Sequence, residues 1–360
     1  MMYTFFMTKK NFWIFILLIF FANQSAVAND SSRTQSYFNE WAKKNGIVGA
    51  ALAVNDQIYL YGYSNKHLAK PVTEETEFGI GSITKTFISV VLLKLEAEGK
   101  LNINNSITKY LPQYPKLKNV TVKSLMQMTA GFNDVEEVGD SAAPLQQVRS
   151  AYEKYNPALT GKWQYSNVSY QLLGILIEKI TQKSISNAIS VLITSPLHLS
   201  SIYFPNNSQA SLLKEYQNGQ VKTTNFNNTY ASGGLVSNAH DLEIFIRHLF
   251  VIKDLLPAKQ YQEITSFVDT PAQYYVFTGT KPPQFGLAVF KWNISPYGEV
   301  LTYPGVSKDG FTSAYTVIRS NVIISQSNTY NQNDFTILWP HRSFTKELIK
   351  NLLLLSHKCY

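Results

Sequence analysis

The sequence predicts an α+β protein, with an antiparallel sheet flanked by helices and a mostly helical lobe between the two halves of that sheet. Three observations carry this expectation. Alternating apolar runs broken by turn pairs lie near the start of the chain, and more of them lie near its end. Helical spacing dominates the stretch between. No internal repeat of fixed period suggests an array instead. The sheet lobe is expected at about 35–90 and 280–360, and the helical lobe at about 91–279.

The first 28 residues are set apart from the fold. Lys9 and Lys10 precede the apolar run Phe12 to Ala22, and Ala26-Val27-Ala28 supplies a small-residue cleavage site. This is the pattern of a secretory signal peptide. Its apolar run of 11 residues is too short to span about 30 Å of hydrocarbon. The expected product is an exported chain of 332 residues, periplasmic or secreted. "IVGAALAVNDQIYLYGYS" then reads as two strands joined near Asn55-Asp56. "TEFGIGSITKTFISVVLLKLEAEGKL" passes from a glycine turn into a helix carrying Phe87, Val90, Val91, Lys94 and Leu95, with Gly99 as its stop. "YQLLGILIEKITQKS" is a second helix. "QFGLAVFKW", "GEVLTY", "FTSAYTVI" and "NVIISQSN" read as successive strands, and "SFTKELIKNLLLLS" as a last helix.

Composition narrows the function. The chain is 45% hydrophobic, ample for a packed core, and its single cysteine, Cys359, excludes an intramolecular disulfide. The formal charge of +8, or +6 without Lys9 and Lys10, is scattered and contains no run of five basic residues. Nucleic acid is therefore not an expected partner, whereas loose attraction to anionic envelope polymers is compatible with the excess. His198, His240 and His248 show no metal-ligand spacing. No metal or cofactor is expected, and the chain is read as a monomer acting on a small molecule or peptide.

Chemistry enters with "SITK", which occurs at Ser82–Lys85 and again at Ser106–Lys109. The wider pattern Ser-x-x-Lys occurs four times, with Ser211/Lys214 and Ser343/Lys346. Pro112 follows closely on Lys109 and disfavours a helix there. Ser343 is explained as a helix cap, and Ser211 lies in a polar stretch without positional logic. Ser82 differs, because it stands where a glycine turn enters a long helix. Residues i and i+3 share a helix face, so Lys85 reaches the Ser82 hydroxyl. The helix N-terminus offers N–H groups and partial positive charge to an oxyanion. Local physics leaves two roles open for Ser82, nucleophile or cap.

"FGIGSITKTF" resembles the active-site segment of class C serine β-lactamases and their relatives, the penicillin-binding DD-peptidases, D-aminopeptidases and lactamase-fold esterases. Further segments resemble that family in order: "GKLNINNSITKYLPQYP", "VTVKSLMQMTAGF", "GKWQYSNVSYQLLGILIEKITQKS", "PLHLSSIYF", "ASGGLVSNAHDLEIFI" and "FGLAVF". The resemblance covers most of residues 40–330 and implies a β-lactamase/transpeptidase-like fold, with Ser82 as nucleophile and the second SITK as structural. It also implies a Tyr-x-Asn motif. Four such triplets exist, beginning at Tyr37, Tyr63, Tyr165 and Tyr216; the loop-then-helix setting selects Tyr165 and Asn167. Tyrosine is a poor base at its ordinary pKa of about 10, but a nearby ammonium stabilises the phenolate. Either Lys85 or Tyr165 can be the base, and Asn167 can bind a substrate amide and the Lys85 amine.

The third family motif, Lys-Thr-Gly or His-x-Gly, is altered. Alignment on "VLTY" and Gly310-Phe311 puts Tyr303-Pro304-Gly305 in its place; the other register is Lys308-Asp309-Gly310. In the first register Tyr303 stands where a cation normally meets a substrate carboxylate, Gly305 completes the triplet, and the Val306 N–H joins that of Ser82 in the oxyanion hole. Anionic substrates, β-lactams among them, are then expected to bind less well. The expected activity is hydrolysis of an amide or ester (β-lactam, D-amino-acid peptide or small ester) through an acyl-enzyme. The competing expectations are a catalytically weak domain that binds cell-wall peptide and an exported structural protein.

Overall fold

The computed structural model describes residues 31–132, 143–206, 209, 214–217, 220–222, 226–271, 282–294, 298–306, 311–318 and 320–330. The signal segment, Ser211, Lys308-Asp309-Gly310, Ser343 and the last helix lie outside them. Among the described residues fourteen strands follow in chain order: β1 Gly49–Val54, β2 Gln57–Asn65, β3 Lys70–Pro71, β4 Phe78–Gly79, β5 Glu215–Gln217, β6 Gln220–Lys222, β7 Val236–Ser237, β8 Val268–Asp269, β9 Gln284–Phe285, β10 Phe290–Ile294, β11 Gly298–Val306, β12 Thr312–Ile318, β13 Asn321–Ser327 and β14 Thr329–Tyr330. The helices are α1 at 31–44, then α2 Thr84–Ala97, α3 Val122–Met126, α4 Pro144–Glu153, α5 Asn167–Thr181, α6 Ile185–Ile189, α7 Phe226–Gly233, α8 Ala239–Arg247 and α9 Ala258–Ile264.

Nine strands form one antiparallel sheet in the order β3-β2-β1-β13-β12-β11-β10-β9-β8. The hairpin read at Asn55-Asp56 is present: Val54 pairs with Gln57, and Asn55 takes a left-handed φ of 53°, a conformation asparagine tolerates better than most residues. β1 then pairs with β13, which joins the early strands to the late ones. Every residue of β1 is buried, as suits a strand covered on both faces. One cover is α8. The other elements near this edge include α1, whose Phe38 stacks on Trp41 at 6.0 Å and meets Tyr61 of β2 edge-on at 6.5 Å. This polar N-terminal stretch carried no strand or helix expectation.

The segment "QFGLAVFKW" is split into β9 and β10, with Ala288 at a φ of 62° between them. α2 is buried on nearly all sides and runs through the middle of the molecule; Phe87 stacks on Phe245 of α8 at 3.8 Å. Its end matches the sequence reading, with Gly99 at a φ of 72° just past the last turn. The pairing of β10 with β11 stops at Phe290–Thr302. Beyond Thr302, β11 keeps β12 on one side only, and its other edge is left for the turn that carries Ser82. Pro304, which has no N–H to give a ladder, lies in that half-open stretch.

Candidate active site

Ser82 sits in the tight turn Gly81–Ile83 that runs directly into α2. Gly81 has a φ of 48°, and a Cβ there would lie 2.5 Å from the Val306 nitrogen. A Cβ on Gly305 would lie 1.8 Å from the Ile80 oxygen and 3.0 Å from the Ser82 nitrogen. Two glycines therefore let the backbone of β11 touch the backbone of the turn. This close approach brings the main chain of Val306 beside that of Ser82, as the oxyanion-hole expectation requires.

Lys85 is fully buried one helical step from Ser82. Its Nζ donates to Ser82 Oγ at 3.0 Å, to Asn167 Oδ1 at 2.8 Å and to the Ser232 carbonyl oxygen at 2.6 Å. Three acceptors match the three donors of an ammonium. The amine also lies 5.1 Å from the centroid of the Tyr165 ring and 5.7 Å from that of Tyr170, within range of cation–π attraction. Tyr165 Oη is 2.5 Å from Ser82 Oγ. The loop bearing Tyr165 is pinned by Gly161 N–H to the Thr129 oxygen at 2.8 Å and Gln164 N–H to the Met128 oxygen at 2.9 Å. Trp163, buried against Phe285 at 5.4 Å, anchors it further. Ser166 caps α5 by accepting from the Ser169 N–H at 3.1 Å. Asn167 is thus the first residue of that helix, which begins three residues before the expected start at Tyr170.

Ser82, Lys85, Tyr165 and Asn167 are brought together within hydrogen-bond reach of one another. Ser106 is not among them. It accepts from the Thr108 N–H at 3.2 Å and caps a three-residue turn, Ile107–Lys109. Sequence reasoning missed Ser232, whose contribution is a main-chain oxygen and so has no side-chain signature. α7 presents it just after Tyr230, whose φ of 37° and ψ of −128° are strained for a non-glycine residue. Gly174 of α5 makes room for this segment: a Cβ there would lie 2.5 Å from the Tyr230 ring.

Tyr303 differs from its expected place against substrate. It is fully buried, stacked on Phe290 at 5.4 Å and tilted against Phe285 at 6.0 Å. Packing a large ring among aromatic neighbours outweighs exposing it to the cleft. Its hydroxyl makes no hydrogen bond of ordinary geometry. Burial, reinforced by the neighbouring Tyr165 and Tyr170 hydroxyls, holds its pKa well above the usual tyrosine value. Tyr170 is likewise pushed up by burial, and its hydroxyl donates to the Met126 oxygen at 2.7 Å. Asp241, read as a helix-entry acid, lies in the first turn of α8 and also accepts from both the N–H and the hydroxyl of Ser201 at 2.8 Å.

Comparison with known proteins gives the family and the fold. The family model described as Beta-lactamase matches residues 34–327. A beta-lactamase of Yersinia enterocolitica is 27% identical over 273 residues, covering 72% of this chain and 69% of that protein. Protein flp of Staphylococcus aureus (strain MRSA252) is 29% identical over 185 residues, 47% of this chain; the match spans only 37% of Protein flp. Among solved structures, a D-stereospecific amidohydrolase from Streptomyces sp. superposes with a TM-score of 0.68 at 25% identity, covering 82% of this chain and 94% of that one. The D-amino acid amidase of Ochrobactrum anthropi SV3 shares the fold, with a TM-score of 0.76 at 20% identity and coverage of 92% and 100%. With a family match over most of its length and the same fold in these structures, the chain belongs to the β-lactamase family, within the serine β-lactamase and penicillin-binding protein superfamily.

Proposed function

We propose that the protein is an exported serine hydrolase that cleaves an amide or ester through an acyl-enzyme on Ser82. The observation that carries this reading is one serine oxygen held 2.5 Å from a tyrosine oxygen and 3.0 Å from a lysine nitrogen. A hydroxyl is weakly nucleophilic near neutral pH and needs such a base. Lys85, with its three acceptors, acts as the ammonium, and Tyr165 takes the Ser82 proton. The N–H groups of Ser82 and Val306 receive the charge that forms on the carbonyl oxygen. Asn167 orients the substrate amide, and water releases the acyl group.

Among substrates, D-amino-acid amides are favoured. The likeness to the D-stereospecific amidohydrolase supports this, as does an aromatic residue rather than a cation at position 303. The export reading rests on the pattern from Lys9 to Ala28.

The test is covalent. A fluorophosphonate should add one probe mass to the wild type and none to Ser82→Ala. D-phenylalanine amide should be turned over by the wild type faster than its L enantiomer or penicillin, and Ser82→Ala should retain no more than about 10⁻³ of that rate. Equal labelling of the two proteins, or turnover that survives in Ser82→Ala, overturns the assignment.

A further inference from the structure

We propose that Tyr303 is a positioning residue for Tyr165: its hydroxyl, delivered by β11 behind the nucleophile, donates to the Tyr165 oxygen while that oxygen takes the Ser82 proton. The inference rests on the hydrolase reading above and assigns a role that the position does not suggest by itself.

The geometry begins with the strand. Side chains two apart share a face, and Gly305 faces the Ile80–Ser82 backbone, with its Cβ position 3.0 Å from the Ser82 nitrogen. Tyr303 therefore points to the same side, one pleat deeper. Phe290 and Phe285 clamp its ring, so the hydroxyl has a fixed heading. That hydroxyl is buried and makes no hydrogen bond of ordinary geometry; the Tyr165 hydroxyl is the group close enough to receive its proton, with the Tyr170 hydroxyl also near. The Tyr170 hydroxyl is already committed to the Met126 oxygen. A buried donor without an acceptor is normally selected against, and catalytic hydrogen bonds often close only when the reaction proceeds. Tyr165 gathers negative charge at that moment and becomes the acceptor.

The proton count is simple. The Ser82 O–H bond breaks and its proton goes to the Tyr165 phenolate. The Oγ lone pair forms the bond to the acyl carbon, and the carbonyl pair moves to the oxygen facing the Ser82 and Val306 N–H groups. Tyr303 keeps its own proton throughout, because burial holds it neutral. Titratable groups face Tyr165 from each side: Lys85 from α2, Tyr170 from α5 and Tyr303 from β11, with Tyr315 of β12 behind the two tyrosines. Of the two tyrosines flanking Tyr165, Tyr170 gives its proton to the Met126 oxygen and Tyr303 is left to give its own to Tyr165.

The experiment is the rate of fluorophosphonate labelling against pH. Tyr303→Phe removes one oxygen and keeps the ring. Labelling should slow about 10- to 100-fold, the range for a lost hydrogen bond to a charged oxygen. The acid limb of the profile should move to higher pH, because the phenolate loses a donor, while the melting temperature stays level or rises. 3,5-Difluorotyrosine at position 303, a stronger donor of the same shape, should move that limb to lower pH. Tyr315→Phe is the control. It deletes a second buried tyrosine hydroxyl, on the residue that pairs across the strands with Tyr303 but whose hydroxyl faces Thr86, and it should label at the wild-type rate. A Tyr303→Phe protein with wild-type rate and profile overturns this proposal alone. A wild type that takes no label at Ser82 overturns the hydrolase reading and this proposal with it.

Discussion

Gly305 shows how much of the site depends on a single missing methyl group. Its Cβ position collides with the Ile80 carbonyl oxygen, a backbone atom that cannot rotate away. Gly305→Ala must push β11 off the Ser82 turn and take the Val306 N–H with it. Loss of one oxyanion donor lowers kcat by about 10²–10³; a fall of that size, with kcat affected more than KM, is the expected result for the variant. An active Gly305→Ala enzyme would show that Val306 is not a donor. At this scale the site was partly legible. Ser82 and Lys85 could be read together because i and i+3 spacing on a helix is local geometry, whereas Tyr165 and Asn167 came from the resemblance to a Tyr-x-Asn motif before a helix read from Tyr170. The burial of Tyr303 could not be read, since Phe285 and Phe290 arrive from strands whose register no local pattern fixes.

The helices place the side chains, so their ends matter more than their middles. Asn167 holds Lys85 at 2.8 Å from the first position of α5, and the Ser166 cap holds that first turn together. Ser166 is itself buried. Ser166→Ala should cost about 1 kcal/mol, which for a chain of this size lowers the melting temperature by about 2–4 °C. It should also reduce kcat, because a frayed first turn loosens Asn167; Ser166→Thr should restore most of both. Unchanged kcat beside the lower melting temperature would separate the cap from the site. The β1–β2 hairpin, α2 and the late strands were legible because their alternation, turn pairs and stop glycine are all written within a few residues. α1 was not, since its stretch is polar apart from residues such as Phe38 and Ala42, which gain their burial from distant partners. The break between β9 and β10 at Ala288 has no signal either, because alanine rarely takes a positive φ and does so here under tertiary constraint.

The whole molecule is held by a pairing between residues about as far apart in the chain as the sheet allows. β1 lies between β2, its immediate successor, and β13, where Val54 pairs with Ile323 and Ala50 with Ser327. Asn55 ties this junction. Its N–H donates to the Val322 oxygen at 2.8 Å, its Oδ1 accepts from the Val322 N–H at 3.0 Å, and Arg247 of α8 reaches the same oxygen at 3.2 Å. One turn residue thus bonds the hairpin, the late strand and the covering helix. Closing such a long loop must precede any reward from its contacts, so neither strand gains its partner until most of the chain is in place. The amides of 49–54 and 321–327 should therefore exchange with solvent together, at the rate of global unfolding, and respond to denaturant with the same large slope. The short edge strands β3 and β8 should exchange through smaller openings. Native-state hydrogen exchange read by mass spectrometry distinguishes the cases. If 321–327 exchanges well before 49–54, the late strands open as a unit of their own; β11, and with it Val306 and Tyr303, could then leave Ser82 without unfolding the rest. Joint exchange means that β11 is as permanent beside Ser82 as the fold itself.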